Sequence, residues 1–132
     1  MQLNPTRHIS LALTGAPGEV YAFASNPENL PLWAAGLSNA VTLVDGVWST
    51  TSPMGTVTVA FAPQNDFGIL DHHVTLPSGE TFYNPLRVIA NNAGSEVIFT
   101  LFRVPGTTDE VFEADAAAIA VDLAALKRYL EA

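Results

Sequence analysis

The chain begins with a strict alternation. In "RHISLAL" (7–13), Ile9, Leu11 and Leu13 fall on one side and polar residues on the other, the period of a half-buried strand. The alternation stops in "TGAPGEVYAFASNPENLPLWAAG". Pro17 suits a first helical turn, and Val20, Phe23 and Ala24 share one helical face. Asn26-Pro27 breaks that helix. A second short helix is expected over about Glu28 to Ala35, with Leu30 and Trp33 at i, i+3 and Gly36 as its stop. Beyond residue 40 the period of two returns and persists. "AVTLVDGVWSTTS" predicts a hairpin through Asp45-Gly46. "GTVTVAFAP", "GILDHHVTL", "ETFYNPLRVIA" and "SEVIFTLFRV" follow, so about six consecutive strands with short connections predict an antiparallel meander. The last segment changes period again. Phe112, Ala116, Ile119, Leu123, Leu126 and Leu130 recur every four and three residues, one apolar stripe along a long helix. Thr107 and Glu110 stand in capping-box spacing at its start, and Lys127 and Arg128 favour the dipole at its end.

This order is strand, two short helices, a run of strands, long helix. With "GEVYAFASNPENLPLW" after the first strand, the "NNAGSEVIFTLFR" hairpin and "VPGTTDEVFEAD" through "AVDLAALKRYLE" at the end, it resembles the SRPBCC superfamily. That is the START/Bet v 1-like group, and the chain is most similar to its polyketide cyclase/dehydrase-like branch. The resemblance implies an α+β helix-grip fold over residues 1–132 as a single domain. A curved antiparallel sheet of about six or seven strands would wrap the C-terminal helix around a cavity for an apolar small molecule. Alanines at 114, 116, 117, 118, 120, 124 and 125 are open to two readings: they hollow out that cavity, or they are simply the best helix formers.

Composition adds exclusions. The chain has 132 residues, 48% of them hydrophobic and 14% charged, enough for one packed core. It lacks cysteine, so thiolate and disulfide chemistry are excluded and a reducing compartment is expected. Thirteen acidic residues against five basic give a net charge of −8, which argues against nucleic acid and anionic membranes as partners. The start, MQLNPTRH, has no apolar core of a signal peptide, and no run approaches the ~18 apolar residues of a membrane span. The expectation is a cytoplasmic protein without membrane insertion and without a cofactor; composition says nothing of its oligomeric state.

Candidate chemistry concentrates in "ILDHHVTLPSGETFYNPLR" (69–87). If Ser78-Gly79 is a two-residue turn, Val74 opposes Tyr83 and His73 opposes Asn84. With "NNAG" (91–94) as the next loop, Leu86 opposes Phe99 and Val88 opposes Val97. One face then carries Asp71, His73, Phe82, Asn84, Leu86, Val88, Val97 and Phe99, an apolar floor with a polar island, and is expected to be concave. A one-residue error in either loop would exchange the faces. Asp71 and His73 would lie roughly 7 Å apart at strand spacing with no third ligand near them, so no metal site is expected. The expected ligand-binding residues are Trp33, Trp48, Asp71, His73, Phe82, Asn84 and Phe99.

Three functional readings stay open. The first is a binder of an apolar small molecule such as a lipid, sterol or aromatic polyketide. The second is a polyketide cyclase/dehydrase-type enzyme using the same cavity, with His73 as general acid/base and Asn84 polarising a carbonyl. The third is an interaction protein resembling the Hsp90-activator branch. No firm catalytic motif is present: the "DFG" at 66–68 lacks every companion kinase motif, and no nucleophile elbow or phosphate loop occurs.

Overall fold

The computed structural model describes residues 3–34, 41–44, 47–52 and 55–131. Strand β1 (Thr6–Leu13) leads to helix α1 (Pro17–Ala24). A 3-10 turn over Pro27–Asn29 runs directly into helix α2 (Leu30–Trp33), so the second helix begins as a tighter turn. Asn26 caps that turn by accepting from the Glu28 backbone N–H at 3.1 Å. Strands β2 (Thr42–Val44), β3 (Val47–Ser52), β4 (Gly55–Phe61), β5 (His72–Thr75), β6 (Thr81–Asn84), β7 (Leu86–Asn91) and β8 (Gly94–Phe102) precede helix α3 (Asp109–Glu131). The expected Asp45-Gly46 turn lies outside the described residues, although Val44 and Val47 pair on either side of it.

The strands form two antiparallel sheets where one was expected: three strands in the order β1-β8-β7, and five in the order β2-β3-β4-β5-β6. The division falls at Pro85, between β6 and β7. Proline has no N–H to give the ladder, so pairing stops there. Past it, the segment leading into β5 takes over as the partner of β7. Leu70 N donates to Leu86 O at 2.8 Å, and Val88 N donates to Gly68 O at 2.9 Å. Gly68 has φ +71°, and a Cβ there would collide with the Val88 carbonyl, so this close approach requires glycine.

The two hairpins behave differently. In β7–β8 the register is the expected one, Leu86 opposite Phe99 and Val88 opposite Val97. In β5–β6 it is displaced by one residue: His72 opposes Asn84, His73 opposes Tyr83 and Val74 opposes Phe82. The turn is the reason. Gly79 N donates to Leu76 O at 2.9 Å, and Leu76 N donates to Glu80 O at 2.9 Å. Three residues, Pro77-Ser78-Gly79, therefore make the loop. Proline takes the second position of a tight turn and Gly79, at φ +91°, takes the left-handed position that closes it.

Helix α3 packs on β1, β8 and α2. Its stripe is as expected, with Phe112, Ala116, Leu123 and Leu126 buried and Ile119 and Leu130 partly so. Each buried leucine contributes about 1.5–3 kcal/mol. With Val20, Ala24, Leu30 and Trp33 of the short helices and Leu86, Val88 and Val97 of the small sheet, these residues form the core. The cap sits one residue later than the sequence suggests. Thr108, not Thr107, accepts from the N–H three residues on, Val111 N to Thr108 Oγ1 at 3.2 Å. Ala114, Ala117, Ala118 and Ala120 face solvent, which makes them helix formers and not walls of a hollow. Among the described residues no helix is long and apolar enough to cross a membrane.

Candidate functional site

Because α3 lies on the small sheet and α2, it stands off the five-stranded sheet, and a groove runs between them. Deep in the groove is a chamber of about 70 Å³. Leu30 and Trp33 of α2 close one side, Val59 and Phe61 of β4 and His72 of β5 form the sheet wall, and Ile119, Asp122 and Leu123 of α3 lie opposite. Leu86 and Phe99 make its floor. The His72 ring stands between two aromatic rings, 5.1 Å from Phe61 and 6.3 Å from Phe99 by centroid. A separate hollow of about 360 Å³ lies toward the first turns of α3, bordered by Phe82, Asn84, Leu101, Thr107 and Asp115 and also by Tyr83 and Phe102; it shares no lining residue with the chamber. The two spaces are neighbours along the sheet, since Asn84 is the cross-strand partner of His72 and Leu101 lies two residues beyond Phe99 on the same face.

The chamber is apolar apart from a few atoms. Trp33 is only 7% exposed, and its indole Nε1–H has no hydrogen-bond partner among the described residues. His72 Nδ1 lies 3.0 Å from Leu70 O. A carbonyl can only accept, so Nδ1 carries the proton and Nε2 is left as an acceptor. Desolvation in the aromatic wall holds the His72 imidazole below its ordinary 6.5, against the opposing pull of the Leu70 carbonyl and the Asp71 charge. The ring is therefore neutral at pH 7.

The face behind β5 is polar and fully engaged. The Asp71 carboxylate accepts from Arg87 Nη2 at 2.7 Å, Arg87 Nε at 2.8 Å, Leu86 N at 3.0 Å and Tyr83 Oη at 3.4 Å. The Arg87 guanidinium beside it is the main reason its carboxyl lies below the usual carboxylate range. His73 stacks on Tyr83 at 5.1 Å, and Tyr83 on Phe102 at 5.9 Å.

The placement of these side chains differs from the expected one. Asp71 and His73 share a face as anticipated, but it is the outer one, because the three-residue turn moves β5 by one position against β6. His72 points inward in place of His73. Phe82, Asn84 and Phe99 lie on the inner face, the first two at the wide hollow and Phe99 in the chamber floor. Trp33 closes the chamber. Trp48 is half-buried and shares the inner face through its partner Val59, one strand away from the chamber. Phe61 and His72 were not anticipated as wall residues. The signal that identifies them is Pro77, which belongs to the turn and not to the ladder. Among the described residues no three candidate metal ligands cluster.

A larger depression, about 610 Å³, lies elsewhere, beside α1 and the 64–68 loop. Its chemistry is spent on holding that loop. Asn65 Oδ1 accepts from Phe67 N and Ile69 N, its Nδ2 donates to the Pro63 and Ile69 carbonyls, and its backbone N–H donates to Tyr21 Oη. Size alone does not make it the candidate site.

No protein-family profile matches the sequence, and no curated protein is similar to it in sequence. Solved structures share its fold. The chain superposes on Aha1 from Colwellia psychrerythraea, determined as a dimer, with a TM-score of 0.71 at 15% identity over 93% of each chain. It superposes on Ara h 8.0201 with a TM-score of 0.69 at 15% identity, covering 95% of this chain and 96% of that one. DynU16, a protein of the dynemicin biosynthetic locus, gives a TM-score of 0.73 at 13% identity over 96% of this chain, which spans 47% of DynU16. These likenesses show the fold: a helix grip shared with the three structures.

Proposed function

We propose that this helix-grip protein binds an apolar small molecule in the groove between α3 and the five-stranded sheet. One end of the ligand occupies the chamber at Trp33, Phe61, His72 and Phe99, and the rest lies in the wider hollow at Phe82 and Asn84. The chamber itself carries the reading. Space of about 70 Å³ that side chains leave unfilled costs about 2 kcal/mol at roughly 24 cal/mol per Å³. A core made of leucine, valine and phenylalanine has the means to close it. The outer hollow, at about 360 Å³, falls in the size range of small-molecule sites, about 300–1,000 Å³. A net charge of −8 supports a neutral guest over nucleic acid or an anionic bilayer.

An enzymatic role of the polyketide cyclase/dehydrase kind would fall to His72, since His73 stacks on Tyr83 away from the groove. Asp122 of α3 is a second acid/base in the chamber lining, but no nucleophile accompanies the pair among the described residues, and binding is the simpler role for so apolar a wall.

The test is a thermal-shift panel of sterols, fatty acids and aromatic polyketides, paired with native mass spectrometry. At 100-fold over Kd a true ligand stabilises by roughly 2.7 kcal/mol. Ile119→Phe, which grows into the chamber, should keep the fold and lose that shift. A ligand-induced shift that survives the filling substitution, or no stabilising compound in the panel, overturns the reading.

A further inference from the structure

Among the described residues two polar atoms in the apolar chamber wall lack partners, and they are of opposite kind. Trp33 Nε1–H is a donor with no acceptor among those residues. His72 Nε2 is an acceptor, fixed as such by the Nδ1–H bond to Leu70 O, and it makes no hydrogen bond among the described residues. Both residues line a space of about 70 Å³, which is room for about two waters at roughly 30 Å³ each. Both atoms thus belong to residues lining one and the same small space.

On the premise that the groove binds a ligand, we propose that the ligand is a neutral apolar compound with a terminal hydroxyl, which accepts from Trp33 Nε1–H and donates to His72 Nε2. Other chemistries fit less well. A hydrocarbon leaves both atoms unpaired in a desolvated site. A ketone or ether serves Trp33 and faces the His72 lone pair with another lone pair. A carboxylate has the same fault, and it would lose its hydration with Asp122 on the helix side and no cation in the lining. An ammonium serves His72 and leaves the indole N–H unpaired. Of these ligand classes only a hydroxyl supplies one acceptor and one donor from a single atom, as the water it would displace does.

The probes are 4-pentylphenol, its methyl ether 4-pentylanisole, pentylbenzene and 4-pentylbenzoate, measured by calorimetry on the full chain. Affinity should fall in the order phenol, ether, hydrocarbon, by about tenfold for each hydrogen bond lost, with the benzoate weakest. Trp33→Phe should erase the gap between ether and hydrocarbon, and His72→Phe the gap between phenol and ether. The wild-type ranking tests the proposal even if a variant fails to fold. Equal binding of phenol and hydrocarbon, or tightest binding of the benzoate, overturns the hydroxyl assignment and leaves the groove reading standing. Binding of none of the four overturns both.

Discussion

The two faces of β5 carry similar residue types and use them in opposite ways. Outside, Asp71 takes hydrogen bonds from three residues, and its neighbours His73, Tyr83 and Phe102 stack in a row. Inside, His72 and Trp33 hold a polar atom each that no group among the described residues satisfies. The outer carboxylate is saturated, while the exposed His73 ring makes a stack and no hydrogen bond among the described residues. The inner pair is unsaturated in a desolvated wall, where each missing hydrogen bond is felt most. Richness in polar side chains and unpaired hydrogen-bonding capacity thus fall on opposite faces of the same strand.

Three changes would break or sharpen that contrast. The largest effect is expected from Asp71→Ala. It strips Arg87 of its bidentate partner and leaves the N–H of buried Leu86 unpaired at the break between the two sheets. A loss of about 3 kcal/mol in urea denaturation is expected, with ligand affinity intact at temperatures where the variant is folded. A stable Asp71→Ala with impaired binding would reverse the roles assigned to the two faces.

Acid titration separates the faces by window. The folded pKa of His72 lies below its unfolded 6.5, so the unfolded chain takes up the proton first. Stability is unaffected above that value and falls as pH drops through and below it, by at most about 1.4 kcal/mol per pH unit. The folded pKa of Asp71 also lies below its ordinary value, here 3.8. Its contribution is complete above 3.8 and disappears as pH falls through the folded value. His72→Phe should flatten the stability curve between the two windows and leave the lower one in place; an unchanged slope there would mean that the ring is not desolvated in solution.

The smallest effect is expected from His73→Ala. Its stack on Tyr83 is exposed and contributes under about 1 kcal/mol, and ligand affinity should not move. A tenfold loss of binding in that variant would restore His73 to the groove.

Much of this molecule is legible in its residues, and the failures have one physical source. The β1 alternation, the break at Asn26-Pro27 and the α3 stripe each follow from a period that burial enforces over many residues. The β7–β8 register follows because Asn91 and Gly94 pair directly across a tight turn, with Asn92 at φ 51° accepting the left-handed position. At β5–β6 the outcome hangs on whether Pro77 ends a strand or begins a turn, a local choice that shifts every later side chain. Periodicity could not decide it, because "DHHVT" alternates neither cleanly inward nor cleanly outward. The alanines of α3 show a related limit: small residues fit a cavity wall and an exposed helix face equally well, and only packing assigns them.

The doubled histidine has a consequence for how this wall tolerates change. Shortening the Pro77–Gly79 turn by one residue would rotate β5 to its other phase, and an imidazole would still face the chamber, His73 replacing His72. The slip would nevertheless bring the Asp71 carboxylate inside and push Leu70 out. Chains descended from this one can thus drift in turn length and keep the ring, but only those that also exchange residue 71 for an apolar side chain could settle in the alternative frame.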